Sequence, residues 1–571
     1  MKGKKLLAHF KDYTLILAAI VISAYYLTSK VDPTRMDADL IVQSLASLKY
    51  LTLFYWAQDR LASLVPLIIS PIKNINENLY ANVFTQAALF SSLIFYFIKT
   101  ISSGSTSALR ENKKIYIDKL LFIIPCYFSS IVLISYLVPE SDLFTFTKHA
   151  QPYAASTLLM LCAYKLYKVN YKVEAQNNKR LSIIILLLMV SLILNPLSLF
   201  LGASLWTASL VQALTIERRK TNPEEHSDAL WAIFLVFSSL CYLIINQLYL
   251  ENYSVGHTTL AFKTSNIIRS LQVITPKLIN SFNENTGGLI AIVLICIYVF
   301  TRHTLLILIN QTKTTFKESS GHNHQPSEEK LNIYFCLGTA IWFNLLSLIP
   351  ILGSEYLALN DYPLRYLFPL YLVVFYSIAH LSADTLKSAT KLGMYADTIS
   401  ITANYKQKFD LIPILITSLC LSIFLGNSRP LSPSLLTYKE VSEVEPAYNY
   451  LLQHKLLDSY LGGNYWASWP LKALALSNGL DMAVITDRSK FDPISHQSEL
   501  RLTNDIRQSR QILYHCVAIN ENDLVTCKNY LRNLIKESLP SPQKHEIIAT
   551  KLFTSNLNQQ ISIYRITATK H

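Results

Sequence analysis

A chain of 571 residues that is 51% hydrophobic and only 16% charged has apolar residues in blocks of roughly 16 to 22, each long enough to cross about 30 Å of hydrocarbon. The formal net charge of +13 does not call for nucleic acid, because the lysines and arginines lie between those blocks, where membrane topology and anionic lipid headgroups account for them. With 14 glycines in the chain and no glycine loop followed by a phosphate-binding lysine, the composition argues against a nucleotide-sugar or ATP site of the usual kind.

In chain order the apolar blocks predict eleven transmembrane helices, at 13–29, 80–98, 119–138, 153–167, 181–198, 200–216, 229–249, 287–301, 331–352, 365–383 and 410–425. The first follows "MKGKK" without a small-residue cleavage site behind it, and reads as a retained signal anchor. With the N-terminus inside, "ALRENKKIYIDK", "KLYKVNYKVEAQNNKR", "ERRK", "TRHTLLILINQTKTTFKES" and "NYKQKF" all fall on the cytoplasmic side. The predicted organisation is therefore a transmembrane domain over 1–425, with a long first exported loop at 30–79, and an exported soluble domain over 426–571. The blocks at 181–198 and 200–216, joined through Pro196, predict a tight hairpin returning to the cytoplasm. Ionisable groups are almost absent from the spans, and Gln212, Asn246, Gln247 and Asn344 are read as interhelical hydrogen-bonding groups.

The charged chemistry gathers in exported loops. In "VDPTRMDADLIVQSLASLKYLTLFYWAQDR", Leu40, Ile41, Leu45, Leu48 and Leu51 have the spacing of an amphipathic helix along the membrane interface. Asp37 and Asp39 stand at its N-terminal end, where helix capping is one reading. Gln58, Asp59 and Arg60 follow among Tyr55, Trp56 and other aromatic residues that favour the headgroup level. A later exported loop, "GHTTLAFKTSNIIRSLQVITPKLI", carries His257, Lys263 and Arg269, and "NDYPLRYLFPLYLVV" opens a span with Tyr362, Pro363, Arg365 and Tyr366. His322 and His324 lie in a predicted cytoplasmic linker.

Of the eight cysteines, Cys126, Cys162, Cys241, Cys296, Cys336 and Cys420 fall in predicted spans and read as small apolar filler. Cys516 and Cys527 fall together in the region expected to face an oxidising compartment and are expected to pair; the alternative is two free thiols in a cytoplasmic tail. Residues 426–571 read as a small α/β domain, with strands at "DMAVITD" and "QQISIYRIT". Its Tyr460, Tyr465, Trp466 and Trp469 are read either as a sugar-stacking cluster or as core.

The layout and three stretches resemble a known family. "DADLIVQSLASLKYLTLFYWAQDR" is similar to the first exported loop of bacterial GT-C membrane glycosyltransferases, "NDYPLRYLFPLYLVV" to an arginine-tyrosine motif before a late span, and "YLLQHKLLDSYLGGNYWASWPLKALAL" to the start of their C-terminal domains. The adjacent Asp-Glu pair of protein mannosyltransferases and the Trp-Trp-Asp-Tyr-Gly signature of oligosaccharyltransferases are absent, so neither acceptor is implied. The resemblance implies an inverting glycosyltransferase in the bacterial inner membrane, with its C-terminal domain in the periplasm. It would take a sugar from a polyprenyl-phosphate carrier and pass it to a glycan, lipid or protein acceptor of the envelope. By resemblance the base is an aspartate of the first loop, Asp37 or Asp39. A base beside the attacking oxygen and a guanidinium on the departing phosphate are what such a transfer requires. Arg365 is the first candidate for the phosphate, followed by Arg60, Arg269 and Lys263. Asp59, Tyr55, Trp56, Tyr362, Tyr366, His257 and Trp466 are candidates to line the substrate site. The sequence requires no cofactor and leaves open whether a divalent cation assists. The alternatives are a flippase of lipid-linked sugars and an O-antigen polymerase or ligase.

Overall fold

The computed structural model describes residues 2–30, 38–49, 51, 63–105, 115–170, 178–216, 225–253, 262–317, 328–355, 357, 362–398, 411–427, 439–486, 493–508, 513–539, 545–555 and 560–570. It is mainly helical and divides into two compact units. The first comprises Met1–Lys30, Gln86–Ile245 and Thr259–Arg429; the second comprises Val31–Thr85, Asn246–Thr258 and Pro430–His571.

The helices in chain order are α1 (Lys2–Ser29), α2 (Ala38–Lys49), α3 (Leu64–Ile69), α4 (Ile75–Ser105), α5 (Ile115–Leu137) and α6 (Glu140–Lys148). A π-turn at Gln151–Ala155 leads into α7 (Ser156–Asn170), followed by α8 (Asn178–Leu194), α9 (Ser198–Ile216), α10 (Glu225–Tyr253), α11 (Thr264–Ser281), α12 (Thr286–Lys317) and α13 (Glu328–Phe343). A 3-10 turn at Asn344–Ser347 separates α13 from α14 (Leu348–Gly353), and another at Leu364–Leu367 opens α15 (Phe368–Thr398), which precedes α16 (Leu411–Asn427). Each apolar block read from the sequence is mainly helical over its described residues, although 331–352 is broken at Asn344 and 181–198 turns at Asn195–Leu197.

Among the described residues six helices are long and apolar enough to cross a membrane, and three shorter ones are apolar throughout. Their burial is uneven. In the apolar 18-residue core of the Leu364–Ser388 stretch 89% of residues are buried, against 22% in those of Ala229–Leu248 and Thr286–Leu305. Thus α15 is the centre of the first unit, while α10 and α12 lie at its edge, exposing Ile233, Val236, Phe237, Leu240, Val293, Leu294 and Ile297. Surfaces this apolar suit hydrocarbon and not water, and the chain is a multi-pass membrane protein. Around α15 the packing is aromatic: Phe375 meets Phe90 edge-on at 5.0 Å and Tyr376 meets Phe97 at 5.6 Å. The ionisable groups of this core stand at the ends of the predicted spans: His380 is buried in α15 with Nδ1 2.9 Å from Asp384, which also pairs with Arg302, and His303 is buried opposite Thr339.

The second unit carries an α/β fold built from α17 (Lys439–Gln453), β1 (Tyr460–Gly463), α18 (Tyr465–Ser477), β2 (Ala483–Thr486), α19 (Pro493–Arg507), β3 (Tyr514–Ala518), α20 (Glu521–Ser538), β4 (His545–Thr554) and β5 (Ser562–Lys570). The sheet order is β2-β1-β3-β5-β4, parallel from β2 to β3 and antiparallel from β3 to β4. Tyr514, Cys516 and Ala518 of β3 share one core with Leu502 and Ile506 of α19, Leu531 and Ile535 of α20, and Ile566 of β5. Cys516 and Cys527 are joined by a disulfide, 6.1 Å between their Cα atoms. β2 and β5 overlap the strands read from sequence, whereas β1, β3 and β4 were not anticipated. β1 ends on a glycine pair because neighbours crowd it: a Cβ on Gly462 would meet Tyr514 Oη, and Gly463, at φ 129°, would meet the Val517 carbonyl.

The first exported loop supplies a second difference. Leu40, Ile41 and Leu45 of α2 are fully buried within this protein unit, where α2 packs on α18, so that part of its apolar stripe is covered by protein and is not laid on lipid, while Leu48 is half-buried and Leu51 exposed. Asn78 and Asn82 of α4 secure it, with Asn78 Nδ2 donating to Ser47 Oγ at 2.7 Å and Asn82 Nδ2 to Leu40 O at 3.2 Å. Lys49 pairs with Asp481 at 3.1 Å, and Asp481 also receives the buried Lys472 at 3.0 Å. Burial raises the Asp481 carboxyl, but the Lys472 and Lys49 ammonium groups outweigh that and hold it below the usual carboxylate range.

Candidate functional site

Arg365 sits in the 3-10 turn ahead of α15 and is half-buried. The backbone before it is constrained: Tyr362, buried, holds φ 51° directly before Pro363, where the proline ring favours an extended residue. The Tyr362 N–H donates to Leu357 O at 2.9 Å, and Pro363, at φ −70°, caps the turn. A left-handed non-glycine residue costs on the order of 1–2 kcal/mol, and such strain is kept where surrounding contacts fix it. The guanidinium lies over the Tyr366 ring, 5.5 Å from its centroid, and Nη1 is 3.4 Å from His149 Nε2. A guanidinium only donates, so Nε2 is the acceptor and the imidazole proton is on Nδ1.

His149 closes α6, and that helix makes the rest of the site. Pro139 precedes it, Glu140 and Asp142 occupy its first turn and Lys148 its last, a charge order that complements the helix dipole. Asp142, Phe146 and His149 recur at i, i+4 and i+7 and so form one stripe. Phe146 packs on Tyr371 at 4.3 Å and on Phe368 at 5.8 Å. Asp142 is buried and accepts hydrogen bonds from the Tyr371 hydroxyl and, at 3.0 Å, from the Ser281 hydroxyl at the end of α11. Lys148 is buried with its ammonium 4.7 Å from the centre of the Phe144 ring. Just beyond, the Gln151 N–H donates to Gln86 Oε1 of α4 at 2.7 Å, where the π-turn begins; such turns recur at functional sites.

Three segments that the charge rule assigns to the exported side thus meet: 139–152, 262–285 and 353–367. They are also joined by backbone. Phe262 forms an isolated antiparallel bridge with Ser354, Lys263 N donates to Gly353 O at 2.9 Å, and Gly353 has no room for a side chain because Phe262 lies against it. The assembly holds a carboxylate between two hydroxyls at one end of α6. At the other end it holds an oriented guanidinium, a histidine and a lysine, about 10 Å away at 1.5 Å per residue. The basic end is suited to an anionic oxygen cluster.

The sequence-derived residues divide as follows. Arg365, Tyr362 and Tyr366 are brought together with α6. Lys263 is exposed and paired with Glu355, and Arg269 is exposed on α11. Asp39 opens α2 in the second unit and is half-buried. Trp466 is exposed on α18, whereas Trp469 three residues on is wholly buried and Tyr460 donates to Asp505 at 2.7 Å. Asp37, Tyr55, Trp56, Asp59, Arg60 and His257, with His322 and His324, lie outside the described residues. Asp142, Lys148 and His149 were missed by sequence reasoning. The available signal was "PESDLFTFTKHAQPY", a loop with a helix charge pattern where a bare connection would have sufficed.

No family model matches the chain, and neither does any curated protein. Among solved structures it is similar to the crystal structure of ArnT from Cupriavidus metallidurans bound to undecaprenyl phosphate. The likeness extends over 97% of this chain and 98% of that one, at 9% identity and a TM-score of 0.46, values that say nothing about substrate.

Proposed function

We propose that this chain is a glycosyltransferase that moves a sugar, with inversion, from a polyprenyl-phosphate carrier to a glycan, lipid or protein of the bacterial envelope at the outer face of the inner membrane. The observation that carries the reading is the Arg365 guanidinium held beside His149 and over the Tyr366 ring, at the head of a bundle of apolar helices. A carrier's isoprenoid tail suits the hydrocarbon-facing surface, and its phosphate suits this basic group. As the glycosidic bond breaks, negative charge grows on the phosphate oxygens, and a guanidinium already held in place stabilises it without reorganising. The acceptor proton goes to a carboxylate of the first exported loop, Asp37 or Asp39, as the sequence resemblance implies. Asp142, accepting from Tyr371 and Ser281, acts as a positioning residue that keeps α6 and its basic end against α15. The second unit, which carries a disulfide, suits an oxidising exterior.

Mass spectrometry of envelope glycans from a deletion strain tests this. Loss of one sugar substituent, restored by the wild-type chain and not by Arg365→Gln, is the expected result. Unchanged glycans, or full restoration by Arg365→Gln, would refute the proposal.

A further inference from the structure

Next to Tyr366, four helix irregularities stand at one level of the first unit: the π-turn before α7, the turn at Asn195 between α8 and α9, the 3-10 turn at Asn344 and the 3-10 turn holding Arg365. They surround a cavity of about 30 Å³. Thr157, Asn195, Ser198, Asn344, Ser347 and Tyr366 give it polar walls, and none of its lining residues is charged. Three of these groups have unused hydrogen-bonding capacity although the residues are more than nine-tenths buried. Among the described residues neither the Asn344 amide nor the Thr157 hydroxyl has a protein partner. Among these residues Asn195 uses only Oδ1, accepting from Leu197 N at 3.1 Å, which leaves its Nδ2 available.

A buried amide without a partner costs about 1–3 kcal/mol, and irregular backbone at membrane depth is tolerated where it lines a polar cavity. Something must satisfy these groups. The donors and acceptors are mixed and neutral, which matches hydroxyls, since each hydroxyl both donates and accepts. An ammonium or carboxylate would enter an uncharged pocket at a large desolvation cost. The volume suits a hydroxymethyl group or a pair of ring hydroxyls, not a whole pyranose. We infer that this cavity reads the hydroxyl edge of the transferred sugar, and that the sugar is therefore uncharged. The inference rests on the proposed lipid-phosphate reading, because it places the sugar one residue from the phosphate-binding Arg365.

Binding to the purified full-length chain in nanodiscs tests it with three probes: polyprenyl phosphate, polyprenyl-phosphate-glucose and polyprenyl-phosphate-glucosamine. The glucose carrier should bind about tenfold more tightly than polyprenyl phosphate, and the glucosamine carrier no more tightly. Thr157→Val and Asn344→Leu should each lower affinity for the glucose carrier about three- to tenfold, as loss of one hydrogen bond predicts, and leave polyprenyl phosphate binding unchanged. That unchanged binding also reports that the variants are folded. Arg365→Gln should weaken all three probes. If glucose adds nothing to affinity, if glucosamine is preferred, or if both cavity variants keep the full glucose preference, the cavity holds only water and the inference fails. If polyprenyl phosphate itself does not bind, the reading beneath it fails as well.

Discussion

Replacing Arg365 by lysine separates positioned two-pronged recognition from mere positive charge. The guanidinium is fixed on three sides, by the Pro363 turn, by the Tyr366 ring 5.5 Å away and by His149 Nε2 at 3.4 Å, so little reordering is needed when it meets a phosphate. Lysine keeps the charge and one hydrogen bond but loses the second, worth about 1.5–3 kcal/mol for a charged partner, or roughly ten- to 150-fold in rate. Glutamine loses the charge as well, a fall of about 10²–10⁴. His149→Ala removes one orienting contact and should cost severalfold in the wild-type background and almost nothing beside Arg365→Gln, because the group it orients is gone. Initial transfer rates of the full-length protein in nanodiscs, at saturating lipid-linked donor, measure all four variants. Arg365→Lys within twofold of wild type, or a His149→Ala penalty that persists beside Arg365→Gln, would refute the argument that the fixed guanidinium serves the phosphate.

Asp142→Asn should destabilise the detergent-purified protein by about 1–3 kcal/mol, since an amide NH₂ must face the Tyr371 and Ser281 hydroxyls that the carboxylate accepted; Ser281→Ala should cost about 1 kcal/mol, and thermal unfolding followed by fluorescence ranks them. In the second unit, Asp481→Asn removes the carboxylate that pairs with the buried Lys472 ammonium, which keeps its bond to Met482 O, 2.6 Å away, and should cost about 1–3 kcal/mol. Lys49→Ala breaks a mostly exposed pair and should cost under about 1 kcal/mol; equal costs would show that Lys472 is not the dependent partner. His515 is wholly buried, with Nδ1 2.8 Å from Ser459 Oγ, and burial, assisted by the Arg565 guanidinium, pushes its pKa from 6.5 down to about 4. The folded imidazole stays neutral where the unfolded one takes a proton, so stability is full above pH 6.5 and is lost as pH falls towards 4, by about 3 kcal/mol in all. Unfolding midpoints across that window should fall less steeply for His515→Gln, and identical slopes would exclude the assignment.

The helices of the bundle were legible in the sequence because hydropathy is a local property. A block such as 229–249 is apolar on all sides and has to be a helix wherever it lies in the membrane. The strand at "DMAVITD" was legible for the same reason, since a short β-branched run bounded by polar residues carries its own signal. β1 was not: "YLGG" has glycines where strands ordinarily have bulk, and only the approach of Tyr514 and the Val517 carbonyl makes those glycines necessary. Likewise, Leu40, Ile41 and Leu45 announced an amphipathic helix, but periodicity says that a face is buried without saying against what. Packing on α18 decided that it was protein.

The candidate site divides along the same line. Arg365 stood out alone, because an arginine behind a proline at the head of an apolar span is costly enough to attract notice. His149, Asp142 and Ser281 lie 216, 223 and 84 residues away along the chain, and no local pattern records that they meet. By itself the sequence determined that this chain crosses membranes, where its helices run and which loops hold its charge, all consequences of transfer energies that each segment carries alone. Tertiary structure alone decided which charges face one another and which polar groups gather around one cavity, because those depend on contacts between segments that share no local signal.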